Sequence, residues 1–174
     1  RDEFDFDHKE IAEEINISVE NSRQILKRAK AKVSNLKHQP VSDSVSLEIA
    51  QQFMTHISEG SVNELIALFN KDISIIGDGG GKAPAIKKPI FGQEPVAAFF
   101  MNINRNMDFF LKRYGNKEGT FEYVFTKILS QSAILIHLQG EIVCILILSL
   151  QENRISQIFS VLNPDKLFHF QKNF

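Results

Sequence analysis

Four apolar runs at hairpin spacing constrain this chain more than anything else in it. Thr120 to Leu129, Ala133 to Leu138, Glu141 to Leu150 and Arg154 to Leu162 are rich in Ile, Leu, Val and Phe. The tight connections Gln139-Gly140 and Glu152-Asn153 separate the last three, which predicts an antiparallel meander. Helical patterns precede it. Leu47 to Ser58 carries Leu47, Ala50, Phe53, Met54 and Ile57 on one face and stops at Gly60. Val62 to Phe69 follows, with Leu65, Ile66 and Phe69 on its apolar face, and Val96 to Phe110 reads as a further helix. Ile73 to Ile76 reads as a short strand leading into a cluster of glycines. Helices first and a meander after them predict an α+β fold, a curved antiparallel sheet wrapped on helices.

The chain changes character near residue 38. His8 to Ile15 places Ile11, Ala12 and Ile15 on one helical face, and Asp7 can cap it. Asn16-Ile17-Ser18 breaks the pattern, and Ser18 can cap a second helix running to about Val33, with Ile25, Ala29 and Val33 on one side. Between Val19 and His38 the cations are Arg23, Lys27, Arg28, Lys30, Lys32 and Lys37, against the single anion Glu20. Two helices joined by a short turn, the second one basic, form a helix-turn-helix pattern. If it docks in a major groove, Ser18, Glu20, Asn21, Ser22 and Gln24 lie near base edges, and Arg23, Lys27 and Arg28 near phosphates. Basic helix pairs also occur in proteins that never touch DNA. The predicted organisation is residues 1–37 as a partial helix-turn-helix, 38–46 as a linker and 47–174 as a domain able to fold alone.

The net charge of −1 shows that the chain as a whole is no polyanion binder; its cations matter because they are clustered. A single cysteine, Cys144, excludes an intrachain disulfide framework and fits a reducing cytoplasm. It reads as a small buried residue, since its apolar run offers no cation to activate a thiol. The longest apolar stretch, Glu141 to Leu150, is too short to span a bilayer, no signal peptide is visible, and no membrane association is expected. With five scattered histidines and one cysteine, neither a metal site nor a cofactor is expected.

Phe6 to Ile15, Ile17-Ser18-Val19 and Leu26-Lys27-Arg28-Ala29-Lys30 together resemble the last two helices of region four in bacterial sigma factors of the extracytoplasmic-function group. Asn16 stands where many relatives have Gly, and Ser22 where many have an apolar residue. The resemblance implies promoter DNA and core RNA polymerase as partners, with the second helix reading the minus-thirty-five hexamer. It also implies that this chain is the C-terminal portion of a longer protein.

Asp78-Gly79-Gly80-Gly81-Lys82 follows the predicted strand. Consecutive glycines can take positive φ, and their amides could form an anion-binding concavity, but the spacing matches neither a P-loop nor a dinucleotide fingerprint. By itself such a loop is most often a plain turn. Taken in order with Leu65 to Phe69, Pro89-Ile90-Phe91-Gly92 and Asn163-Pro164-Asp165-Lys166-Leu167, it resembles a C-terminal extension of one sigma-factor subgroup. That extension is a SnoaL-like domain of the nuclear-transport-factor-two superfamily. The resemblance implies that the glycine and Asn-Pro-Asp-Lys-Leu motifs control sigma activity in place of a separate anti-sigma protein.

The same superfamily includes isomerases and cyclases that move protons with an Asp or His in a conical pocket. Candidates here are Asp72, Asp78, His56, Glu122 and His137, but no carboxylate pair or Ser/His/Asp set stands at a telling spacing. An enzyme is therefore the lesser expectation. Among fifteen phenylalanines, Phe99, Phe100, Phe109, Phe110, Phe121, Phe125 and Phe159 are expected to line the cone, as core or as a pocket for a small apolar ligand. An open apolar sheet face would instead suit a homodimer.

Overall fold

A computed structural model describes residues 7–35, 43–107, 119–128 and 130–171. The chain divides into two compact units, Arg1–Gln39 and Pro40–Phe174.

In the first unit, α1 (His8–Glu14) and α2 (Val19–Asn35) are joined by a short turn. Asp7 accepts from the Lys9 and Glu10 amides at 2.6 and 2.8 Å, and Glu10 Oε2 accepts from the Asp7 amide at 2.7 Å. This reciprocal box satisfies the free donors that open α1. Asn16, at φ 53°, makes the left-handed step between the two helices; asparagine tolerates that region better than most residues. Ser18 Oγ then accepts from the Asn21 amide at 3.1 Å and starts α2. Ala12 is buried, whereas Ile15 and Ile25 are 56% and 49% exposed.

The second unit runs α3 (Asp43–Glu59), α4 (Val62–Ala67), β1 (Phe69–Asp78), β2 (Ile90–Phe91), α5 (Gln93–Arg105), β3 (Phe121–Ile128), β4 (Gln131–Leu138), β5 (Glu141–Gln151), β6 (Arg154–Val161) and α6 (Pro164–Gln171). The last four strands form the expected antiparallel meander. Both predicted connections have positive φ at each residue, 53° and 80° at Gln139-Gly140 and 52° and 58° at Glu152-Asn153, as tight hairpins demand. The fold is α+β around a six-stranded sheet ordered β2-β1-β6-β5-β4-β3. Parallel pairing of β1 with β6, with Asp78 opposite Val161, was not visible in the local pattern.

Several boundaries differ from the sequence reading. α3 starts at Asp43, inside the expected linker, because Val45 continues the apolar stripe of Ile49, Phe53 and Ile57 onto the core. Residues 38–42 of that linker lie outside the described residues. Phe69 ends no helix: it opens β1, fully buried, and β1 is ten residues long rather than a short strand. The helix expected over Val96 to Phe110 begins at Gln93 and is described to Arg105, its last three expected residues lying outside the described ones, as do Phe6 and Leu129.

One apolar cluster joins α3, α4 and α5 to one sheet face, with Phe53, Leu65, Val96, Ile75, Leu148 and Ile158 at or near zero exposure. Phe53 packs against Phe69 and Phe100, ring centroids 6.3 and 5.0 Å apart. A smaller cluster of Leu135, Ile142, Ile145 and Leu167 seats α6 on the opposite face.

Candidate functional site

On α2, Glu20, Asn21, Arg23, Gln24, Lys27 and Arg28 are exposed. Arg23 pairs weakly with Glu20 at 3.7 Å, and Arg28 donates to Gln24 Oε1 at 3.5 Å. Both contacts are solvated and cost little to exchange for another partner. Ser22 does not share this face. It is 5% exposed, its hydroxyl 3.0 Å from His8 Nδ1, so its expected access to a base edge is corrected. A polar residue is tolerated in this buried position because α1 supplies its hydrogen bond. The Ser18 hydroxyl is engaged as the cap of α2.

The glycine motif and the Asn-Pro-Asp-Lys-Leu motif form one cluster, although Lys82 and its partner Asp165 lie 83 residues apart in the chain. The parallel pairing of β1 and β6 brings their C-terminal ends together, and the Leu162 amide donates to the Asp78 carbonyl at 2.7 Å. Gly80 (φ 58°) lies so near Asn163 that a Cβ there would overlap the Asn163 carboxamide. Asn163 in turn caps α6, its Oδ1 accepting from the Asp165 amide at 3.1 Å. Two crossed ion pairs complete the cluster, Lys82 to Asp165 at 2.6 Å and Lys166 to Asp78 at 2.8 Å. The Lys166 ammonium, then the Gly80 amide, hold the Asp78 carboxyl below its ordinary pKa despite a small opposing effect of burial. All four charged side chains remain 38–62% exposed. Leu167 points away from them into the smaller core.

A cavity of about 340 Å³ opens between the helices and the concave face of the sheet. Phe99, Phe100 and Phe121 line it as expected, while Phe125 packs into the main core. Phe159 does not line it: its neighbours Ile158 and Ser160 face inward, so strand alternation turns Phe159 outward. Phe109 and Phe110 lie outside the described residues. A bulge in β5 presents both Val143 and Cys144 to the cavity. Burial pushes the Cys144 thiol up to about 12 and raises Tyr123, so both stay protonated near neutrality. None of Asp72, Asp78, His56, Glu122 or His137 is among the described lining residues. His137 follows the inward-facing Ile136, so alternation carries it to the other face, beside Leu135 on the strand.

Among the described residues, no group of three or more His, Cys, Asp or Glu is placed to hold a metal, and no helix is long and apolar enough to cross a membrane.

The class of protein that this chain resembles in sequence is the extracytoplasmic-function RNA polymerase sigma factor. The particular homologue is SigJ of Mycobacterium tuberculosis, 26% identical over 119 residues, an alignment covering 66% of this chain and 35% of SigJ. The chain thus spans about a third of the length of the curated relative it matches, at 35%. In structure it is similar to crystalline SigJ, with a TM-score of 0.49 and 18% identity over 95% of this chain and 56% of that one. It is also similar to a SnoaL-like protein of unknown function from Burkholderia thailandensis, with a TM-score of 0.48 and 10% identity over 70% of this chain and 97% of the other. No protein-family model matches the chain.

Proposed function

We propose that this chain is the C-terminal portion of an alternative sigma factor, working in the cytoplasm with core RNA polymerase and promoter DNA. In this reading α1 and α2 are the helix-turn-helix that meets the minus-thirty-five element. Glu20, Asn21 and Gln24 approach bases while Arg23, Lys27 and Arg28 neutralise phosphates. The second unit controls that activity through the cluster of Asp78 to Lys82 with Asn163 to Leu167.

The observation that carries the regulatory reading is the convergence of two distant charged motifs on one exposed surface. Exposed ion pairs add little stability, so folding alone is a poor reason to gather two of them behind a glycine turn. A partner with complementary charge can exchange with them at small cost. Sequence similarity to a sigma factor supports the same reading.

Run-off transcription with the full-length protein and core polymerase tests it. The double variant K82D/D165K keeps an ion pair and the net charge of the surface while exchanging the positions of its two charges. Altered transcription is expected from the pair-swapped protein with its melting temperature near that of the parent. Parent-like transcription from a folded double variant would discard the regulatory role.

A further inference from the structure

The cavity and the ion-paired cluster are joined by one short segment of chain. The Gly79 carbonyl accepts from the Lys82 and Ala83 amides at 3.0 and 2.9 Å. A Cβ on Gly79 would collide with the Ala83 carbonyl and come within 3.0 Å of Ala85 Cβ, so this turn is drawn tight. Immediately after it, Pro84, Ala85 and Ile86 line the cavity. The other strand repeats the arrangement: Ser160 and Leu162 line the cavity, and Asn163 is the next residue, against Gly80. A change in shape inside the cone therefore has two short routes to the charged cluster.

The lining sets the chemistry of an occupant. No charged side chain is among the described lining residues, so an ion would lose its hydration with no partner to replace it. Phe99, Phe121 and Tyr123 offer ring surface, which favours a flat apolar body. The Asn104 carboxamide makes no hydrogen bond among the described residues and offers both a donor and an acceptor. At about 340 Å³ the space lies at the small end of the roughly 300–1,000 Å³ typical of small-molecule pockets.

We infer that the cavity binds a neutral, ring-containing, largely apolar small molecule bearing a hydrogen-bonding group, and that occupancy is transmitted to the cluster through residues 83–86. Only the meaning of that signal rests on the regulatory reading above; the binding does not.

N-phenyl-1-naphthylamine, a neutral aromatic amine whose fluorescence rises in apolar surroundings, serves as the probe for the chain in solution. A saturable one-site rise is expected, weakened at least tenfold by Cys144→Phe on β5 and by Ala85→Leu in the loop, each of which fills the cavity. Cooperative melting near the parent temperature identifies a folded variant, and either variant suffices if the other fails to fold. Absence of a saturable rise in the parent, or parent-like affinity in a folded filling variant, overturns the site. Hydrogen exchange at the Lys82 and Ala83 amides reads the coupling: at least threefold slowing is expected when probe saturates the cavity, and unchanged exchange removes the transmission. Probe binding combined with parent-like transcription from K82D/D165K would retain the cavity and discard the regulatory reading.

Discussion

Gly80 and Gly81 both hold positive φ, at 58° and 72°, yet their surroundings differ. A Cβ on Gly81 would meet open space, whereas one on Gly80 would meet the Asn163 side chain. Gly81→Ala should therefore cost only the left-handed backbone penalty, about 1–2 kcal/mol. Gly80→Ala should cost more, and the excess should shrink when Asn163 is also changed to Gly. Urea unfolding of the double-mutant cycle checks this; an excess that persists without the Asn163 side chain would show that the contact is not its cause. Asp78 supplies a pH signature. Its carboxyl is held below 3.8 by Lys166 and the Gly80 amide, so its folded pKa is depressed. Its contribution is fully present above the unfolded value and is lost as pH falls through the folded one. Acid titration of unfolding stability below about pH 4 should thus fall less steeply in Asp78→Asn than in the parent, with pH 7 values as the reference.

At the scale of elements, the helices are held by the sheet more than by their own sequence. Phe53 on α3 is fully buried with the rings of Phe69 and Phe100 beside it, joining a helix, a strand and a second helix. Truncation to alanine leaves a cavity that rigid strands cannot close, so Phe53→Ala should cost about 3–5 kcal/mol in denaturant unfolding. A cost below about 1 kcal/mol would mean that the site collapses freely. The hairpins were legible because a two-residue turn is a local device whose residues sit next to one another in the chain. Phe69 was misread because an apolar residue at helical spacing also fits the first position of a buried strand, and only the facing Ile155 on β6 distinguishes them.

For the whole protein, the proposed DNA contact is electrostatic before it is specific. If Lys27 and Arg28 each neutralise a phosphate, replacing either with alanine should weaken full-length protein on promoter duplex and lower the slope of log affinity against log salt by about 0.9. Titrations at several salt concentrations check this, and an unchanged slope in both variants would remove them from the interface. The α+β class, the meander, the cap of α2 and its cationic face were all readable in the sequence, because each depends on residues within a few turns or one hairpin. Ser22, His137, Phe159 and the junction of the two charged motifs were not. Whether Ser22 faces solvent depends on α1, and which way Phe159 points depends on strand register. Asp78 meets Lys166 only because β1 pairs in parallel with β6 across most of the domain. The amino-acid order alone determined the local elements and the charge that they carry. Tertiary structure decided which of them touch, since non-local strand pairing depends on burying a shared core and leaves no period in the chain.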